Sequence, residues 1–317
     1  MTFSVAPLED GLRFGARVSG LARPDLQNAA VAQELRAVFE RDGLIVFEDV
    51  EPTAEMHVAL STVFGPLKDH PVKAVDRVDG DAMPGVIDMH RKPFESSIVE
   101  IDGVQLTGWL PWHFDHCYND QLNRAGVLRA IEIPPSGGIT AFADGIEMYA
   151  NFPKHLSDAL EGANIIYTLD LIFDHMRFGL PDRFRSIQVP PKQYEFLEQS
   201  KKQPRAIHPA IWTRADGTRV LHVSPWMSVG IEGRENDEGD ALLRAVCHEI
   251  NRSVRPYRHS WTGTEMLVWD NWRMLHAVSG NPPEYGRRMQ RTTIQGDYGL
   301  GYFEGGRTGS SLLEMTV

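Results

Sequence analysis

A mainly β jelly-roll barrel with flanking helices is the fold that this 317-residue sequence predicts, and three observations carry the expectation. Short apolar runs bounded by Gly, Pro, Asn and Asp recur along the chain, as strands separated by turns do. Helical periods are fewer and do not alternate with those runs, so repeating βαβ units are not expected. No stretch rich in Pro, Gly or Ser divides the chain, which therefore reads as one domain over residues 1–317.

Taken in order, residues 26–41 carry Val31, Leu35, Val38 and Phe39 at helical spacing, with Asp42-Gly43 as the stop. Residues 43–47 form a short buried strand. Thr53 opens a second helix that Phe64-Gly65-Pro66 closes. Residues 70–108 show no sustained period and read as a long, lid-like loop with short strand pieces. A strand lies near 126–133, Asp144 caps a helix running toward Tyr149, and another helix covers about 154–162. Residues 168–189 mix Phe, His, Arg and Pro and read as a second lid. Residues 190–201 form a helix with proline near its start. Strands at 208–212 and 218–223 flank Ala215-Asp216-Gly217, a hairpin turn signal. Residues 234–253 are the clearest amphipathic helix, with Leu242, Leu243, Val246, Cys247 and Ile250 on one face. Strands at 258–262, 266–269 and 290–296 finish the chain.

Composition narrows the function. The chain is 42% hydrophobic and 24% charged, with a net charge of −11 and no run of Lys or Arg, which argues against a nucleic-acid surface. No apolar stretch is long enough to span a membrane. The first ten residues lack the basic flank and apolar core of a secretory leader. Two cysteines, Cys117 and Cys247, cannot build a disulfide framework, and free thiols suit a reducing, cytoplasmic setting.

The chemistry centres on Trp109-Leu-Pro-Trp-His-Phe-Asp-His-Cys-Tyr118. His113 and Asp115 stand two apart, so an extended strand would turn both to one face. An imidazole and a carboxylate converging there make two thirds of a two-histidine, one-carboxylate metal triad. The ordinary alternative is that both face water or satisfy each other. Cys117 would share their face on an unbroken strand and reads as a small packing residue. His276, after the apolar run from Leu267, offers a distant second histidine, which a barrel site needs because opposite strands must meet; otherwise it is a polar strand end. Arg287 and Arg291, four apart, share one strand face. An inward arginine is costly unless it meets an anion, which guanidinium grips as a fork. Thr140 adds a hydroxyl donor. Alternatively Arg287, Arg288 and Arg291 form a solvated basic edge.

Four motifs in order resemble the taurine/phenoxyacetate family of Fe(II)- and 2-oxoglutarate-dependent dioxygenases: Trp112-His-Phe-Asp115, Pro135-Ser-Gly-Gly-Ile-Thr140, Trp269-Asp-Asn271 with His276, and Arg287-Arg-Met-Gln-Arg-Thr-Thr293. Phe64-Gly-Pro-Leu67 and His208-Pro209 support them, and the similarity runs from about Leu44 to Asp297. The resemblance implies a double-stranded β-helix, cupin-like, with His113, Asp115 and His276 as iron ligands. It implies that Thr140 and Arg287 hold the far carboxylate of 2-oxoglutarate, and that Arg291 lies near the co-substrate's other end and the substrate's acidic group. O2 is then the other co-substrate, and succinate and CO2 are released. A carboxylate at position 115, where related halogenases have a small residue, implies oxygen insertion or desaturation. Against the taurine pattern, His70 falls where a sulfonate-binding histidine sits. Lys73 replaces a tyrosine, Trp109 an asparagine, and His116 and Tyr118 smaller and phenylalanine side chains; Met227 aligns with a pocket phenylalanine. Those walls, with Trp226, fit an organic anion larger than taurine, an aromatic one included. Family members often assemble as dimers or tetramers, which leaves a homo-oligomer open. Two rival readings are a zinc hydrolase using the same three ligands and a non-catalytic small-molecule binding protein on the same barrel.

Overall fold

The computed structural model describes residues 3–68, 78 and 85–306. The chain opens with β1 (Ser4–Pro7) and β2 (Ala16–Ser19), an antiparallel pair that periodicity does not announce. α1 (Ala29–Asp42) starts later than its apolar pattern suggests, because Arg23–Gln27 forms a separate 3-10 turn and the Asn28 side chain accepts from Ala30 N–H. Gly43, at φ 72°, ends it in a left-handed cap that a side chain would strain. β3 (Leu44–Glu48) and α2 (Ala54–Phe64) follow, the latter capped by Thr53.

The long loop expected over 70–108 is mostly strand in its described part: β4 (Val86–Arg91), β5 (Ile98–Ile101) and the start of β6 (Val104–His113). β7 (Ala125–Glu132), β8 (Thr140–Asp144), α3 (Gly145–Asn151), α4 (Lys154–Leu160) and β9 (Asn164–Tyr167) come next. The 168–189 stretch holds a 3-10 turn and an edge strand, β10 (Phe184–Gln188), so only part of it is free of ladders. After α5 (Pro191–Ser200), β11 (Ala206–Pro209) leaves the predicted hairpin for another sheet. The hairpin itself is β12 (Ile211–Thr213) with β13 (Arg219–Leu221), its turn fixed by Asp216 Oδ1 accepting from Thr218 N–H. β14 (Ser228–Ile231), α6 (Asp237–Ser253), β15 (Tyr257–His259), β16 (Met266–Asp270), β17 (Met274–Asn281), β18 (Arg287–Ile294) and β19 (Tyr302–Phe303) complete the chain.

Two sheets face each other as a jelly roll. One runs β1-β2-β3-β16-β7-β18-β4 and the other β10-β5-β6-β17-β8-β15. The late strands β16, β17 and β18 therefore occupy interior places between earlier ones. Alternation explains the unbroken apolar runs: Leu44, Val46, Leu267 and Trp269 point between the sheets, while Ile45, Phe47, Met266 and Val268 pack on Phe39, Met56 and Leu60 of α1 and α2. A strand covered on both faces needs apolar residues at every position. The remaining sheet, β14-β9-β11-β19, packs with α6 in a third cluster. No helix among the described residues is long and apolar enough to cross a membrane.

Candidate active site

β6 and β17 are antiparallel neighbours, and His276 is the register partner of His113. Partners in a ladder project to the same face, which brings the two rings to 4.0 Å between centroids. Asp115 arrives differently. β6 ends at His113, and Asp115 begins a turn in which His116 takes φ 60°. The strand alternation expected for 113, 115 and 117 therefore fails beyond His113, and the turn rather than the pleat aims the carboxylate. The Asn271 side chain holds that turn: Asp115 N–H donates to its Oδ1 at 2.8 Å, and its Nδ2 donates to Asp115 O at 3.0 Å. His208 Nε2 donates to Asn119 O at 2.7 Å, and His222, stacked on Phe114, reaches Asn271 O.

The donor atoms of His113, Asp115 and His276 lie within 4.8 Å of one another, and all three residues are buried. His113 Nδ1 donates to Pro111 O at 2.7 Å, which fixes the tautomer and leaves the Nε2 lone pair free. Burial keeps both imidazoles neutral, as ligands must be, by lowering their pKa values; for His276 the neighbouring His113 adds to this. Burial opposes ionisation of Asp115, yet Arg291 and the surrounding histidines outweigh it and hold the carboxyl below the usual range. Asp115 Oδ2 is buried without a partner. An orphaned carboxylate oxygen beside two neutral imidazoles fits a divalent iron site and leaves a face open to other ligands.

Arg291 Nη1 donates to Asp115 Oδ1 at 2.7 Å, while its Nε has no partner. Arg287 is buried and donates to Thr140 Oγ1 at 3.3 Å. Trp261 Nε1 donates to the same oxygen at 3.0 Å, so the hydroxyl proton of Thr140 is left to point elsewhere. Burial, with Arg91 nearby, lowers the Arg287 pKa, but the guanidinium starts high enough to stay cationic at neutral pH. The solvated basic edge is set aside for both arginines; only Arg288 turns outward, to Asp88.

These groups share a cavity of about 570 Å³ between the two sheets, within the range of small-molecule sites. His116, Tyr118, Trp226 and Met227 line it as expected. Trp109 does not: its ring packs on Phe173 at 5.1 Å and Phe184 at 5.6 Å, because β10 at the sheet edge covers that face. His70 and Lys73 lie outside the described residues. Cys117 is a packing residue whose thiol donates to Met227 Sδ at 3.8 Å, and burial raises its pKa so that it stays protonated. Sequence reasoning missed Arg91, Lys192, Leu169, Leu171 and Phe196 on the wall, and Asn271 as the clamp. A period-two reading of 87, 89 and 91 would have found Arg91.

The chain is similar to the alpha-ketoglutarate-dependent 2,4-dichlorophenoxyacetate dioxygenase of Burkholderia sp. (strain RASC), 26% identical over 292 residues that cover 89% of this chain and 92% of that protein. It is 25% identical to the (S)-phenoxypropionate/alpha-ketoglutarate-dioxygenase of Sphingobium herbicidovorans, covering 93% and 96%. A taurine dioxygenase crystal structure from Burkholderia xenovorans shares the fold, with a TM-score of 0.68 at 22% identity over 97% of this chain and 95% of that one. The family model described as taurine catabolism dioxygenase TauD, TfdA family matches residues 4–293. That match runs through nearly the whole chain, which belongs to this family and is a dioxygenase working with Fe(II), 2-oxoglutarate and O2.

Proposed function

We propose that this enzyme oxygenates an organic anion larger than taurine, an aryloxy acid foremost, within a single catalytic domain. The observation that carries this is the cavity: about 570 Å³ walled by Leu110, Leu169, Phe196, Trp226 and Met227, with cations at its base. Taurine would leave most of that apolar wall uncovered, whereas an arene would cover it. The two relatives named for phenoxy acids point the same way.

In this reading His113, Asp115 and His276 hold the iron. When bound, iron with 2-oxoglutarate and O2 supplies the oxidising power for C–H hydroxylation, with release of succinate and CO2. The protein's own residues do the rest. Arg287 and Thr140 fix the far carboxylate of the co-substrate by charge-assisted hydrogen bonds. Arg291 keeps Asp115 ionised through Nη1 and offers Nε to an anionic oxygen at the near end. Trp226, edge-on to His113 at 5.0 Å, and Phe142 exclude water around the ligands. His70 and Lys73 are assigned to the substrate's acidic group. If the hydroxylated carbon bears oxygen, the product collapses with C–O cleavage.

The test is anaerobic Fe(II) plus 2-oxoglutarate, followed by its weak visible charge-transfer band, then succinate release with aryloxyacids, sulfonates, sulfate esters and acylated amino acids. The expected result is a band that shifts with an aryloxyacid, and faster turnover of that acid than of taurine. Iron binding without a band overturns the co-substrate assignment, and taurine as the best substrate overturns the size argument. The band also separates this reading from a zinc hydrolase.

A further inference from the structure

Two arginines confront each other across the β4–β18 ladder. Arg91 is the register partner of Arg287, and both line the cavity. Side chains directly opposite in an antiparallel pair stand on one face, and like charges so placed are destabilising. Elsewhere the chain pairs such groups: Arg17, Arg124 and Arg273 hold Glu48, Asp270 and Asp144. Here, among the described residues, no carboxylate answers. Among the described residues Arg91 makes no hydrogen bond or ion pair, and the Arg287 guanidinium makes only its contact with Thr140.

The position is built rather than accidental. A Cβ on Gly108 would come within 3.0 Å of Arg91 Cδ, and one on Gly138 within 3.4 Å of Arg287 Nε. The Arg91 side chain occupies room that Gly108 leaves, while Arg287 Nε stands at ordinary contact distance from a Cβ on Gly138. The guanidinium of Arg91 is thus carried to the end of the cavity where Arg287 meets Thr140, whose hydroxyl proton is uncommitted. Two partly desolvated cations and a free hydroxyl donor at one spot call for an oxyanion.

We propose that Arg91 and Arg287 share the distal carboxylate of 2-oxoglutarate, with Thr140 donating to the same group; this deepens, and rests on, the role given to Arg287 above. One carboxylate lying between two guanidiniums relieves their repulsion, and it makes the site discriminate a dicarboxylic 2-oxo acid from a monocarboxylic one more steeply than one arginine would.

Calorimetric titration of the Mn(II)-loaded protein reads this without turnover, using 2-oxoglutarate and 2-oxobutanoate, which lacks the distal carboxylate. R91M should raise the Kd of 2-oxoglutarate at least tenfold and leave that of 2-oxobutanoate within twofold. R91K, which keeps the charge but not the fork, should recover part of the loss, and it serves in place of R91M if that variant does not fold. R91M and R287M together should cost less than the sum of the two, since they act on one group. A folded R91M whose preference equals wild type, while R287M loses it, overturns this inference alone. Wild type that does not distinguish the two acids, or a folded R287M that keeps the wild-type preference, overturns it together with the role of Arg287.

Discussion

At the base of the cavity each site residue stands on a register-locked strand or on a turn clamped to one, whereas at the mouth Lys192 and Gln193 stand on the first turn of α5 and Leu169 and Leu171 on a connecting segment. Thr140, His276 and Arg291 have ladder partners on both sides, and His113 and Arg287 on one, as partners of His276 and Arg91. Lys192 is exposed, and no ion pair holds it among the described residues. The contrast separates two jobs. Ligand geometry tolerates little error, so it sits where backbone hydrogen bonds fix it; substrate fit can vary, so it sits on elements whose side chains change without breaking a sheet.

Substitutions should reproduce that contrast. The largest effect is expected from Asp115→Ala at the base: iron binding measured by equilibrium dialysis should weaken severely and succinate release should fall to background. Full iron affinity in a folded variant would remove Asp115 from the ligand set. Arg287→Ala should raise the 2-oxoglutarate requirement by the roughly 2–4 kcal/mol of a buried charged hydrogen bond, about 30-fold or more in Kd; an unchanged KM would mean that the base is not where the co-substrate is held. Asn271→Ala touches no ligand atom, yet it frees the turn that carries Asp115. A loss of about 10–100-fold in metal affinity, typical of an outer partner, is expected, and retention of affinity would show that the clamp is dispensable.

Acid should also destabilise the fold as a whole. His57, His208 and His222 are buried as neutral imidazoles, burial pushing them down to about 3, about 4 and about 3. Their unfolded value is about 6.5, so below that pH the unfolded chain takes up protons that the folded chain refuses. This contribution is fully present above about pH 6.5 and is lost as the pH falls toward 4, by about 2 kcal/mol per histidine at pH 5. Melting curves at pH 7 and pH 5 should show a clear drop; equal stability would mean that these rings are not held neutral. The smallest effect belongs to the mouth. Lys192→Gln should change substrate KM by no more than about fivefold, the reach of an exposed charge worth up to about 1 kcal/mol. A loss as large as that of Arg287→Ala would erase the distinction between the two ends.

What was legible follows the same divide. The two arginines declared themselves by their spacing on a strand, and His276 by following an apolar run. Strand alternation would set Asp115 beside His113, but it is a turn that does so, since the strand has ended and His116 at φ 60° bends the chain before Cys117. β4 stayed hidden because its outer face carries Asp88 and His90 and its inner face ends in Arg91, so a half-buried strand looked like a polar loop. The Asn271 clamp bridges residues 156 positions apart, and no local pattern records such a contact. Trp109 looked like a substrate wall because an aromatic beside ligands usually is one; only the placement of Phe173 and Phe184 shows it covered.

The interior seats of β16, β17 and β18 have a consequence for biosynthesis. During translation the ribosome releases His113 and Asp115 long before the segment that separates β3 from β7 and β6 from β8 exists. Neither ladder can zip up by nearest-neighbour pairing, so the nascent polypeptide must hold gaps open until its last quarter arrives. A product truncated before residue 266 has neither His276, the third member of the proposed ligand set, nor the strands that close the two sheets.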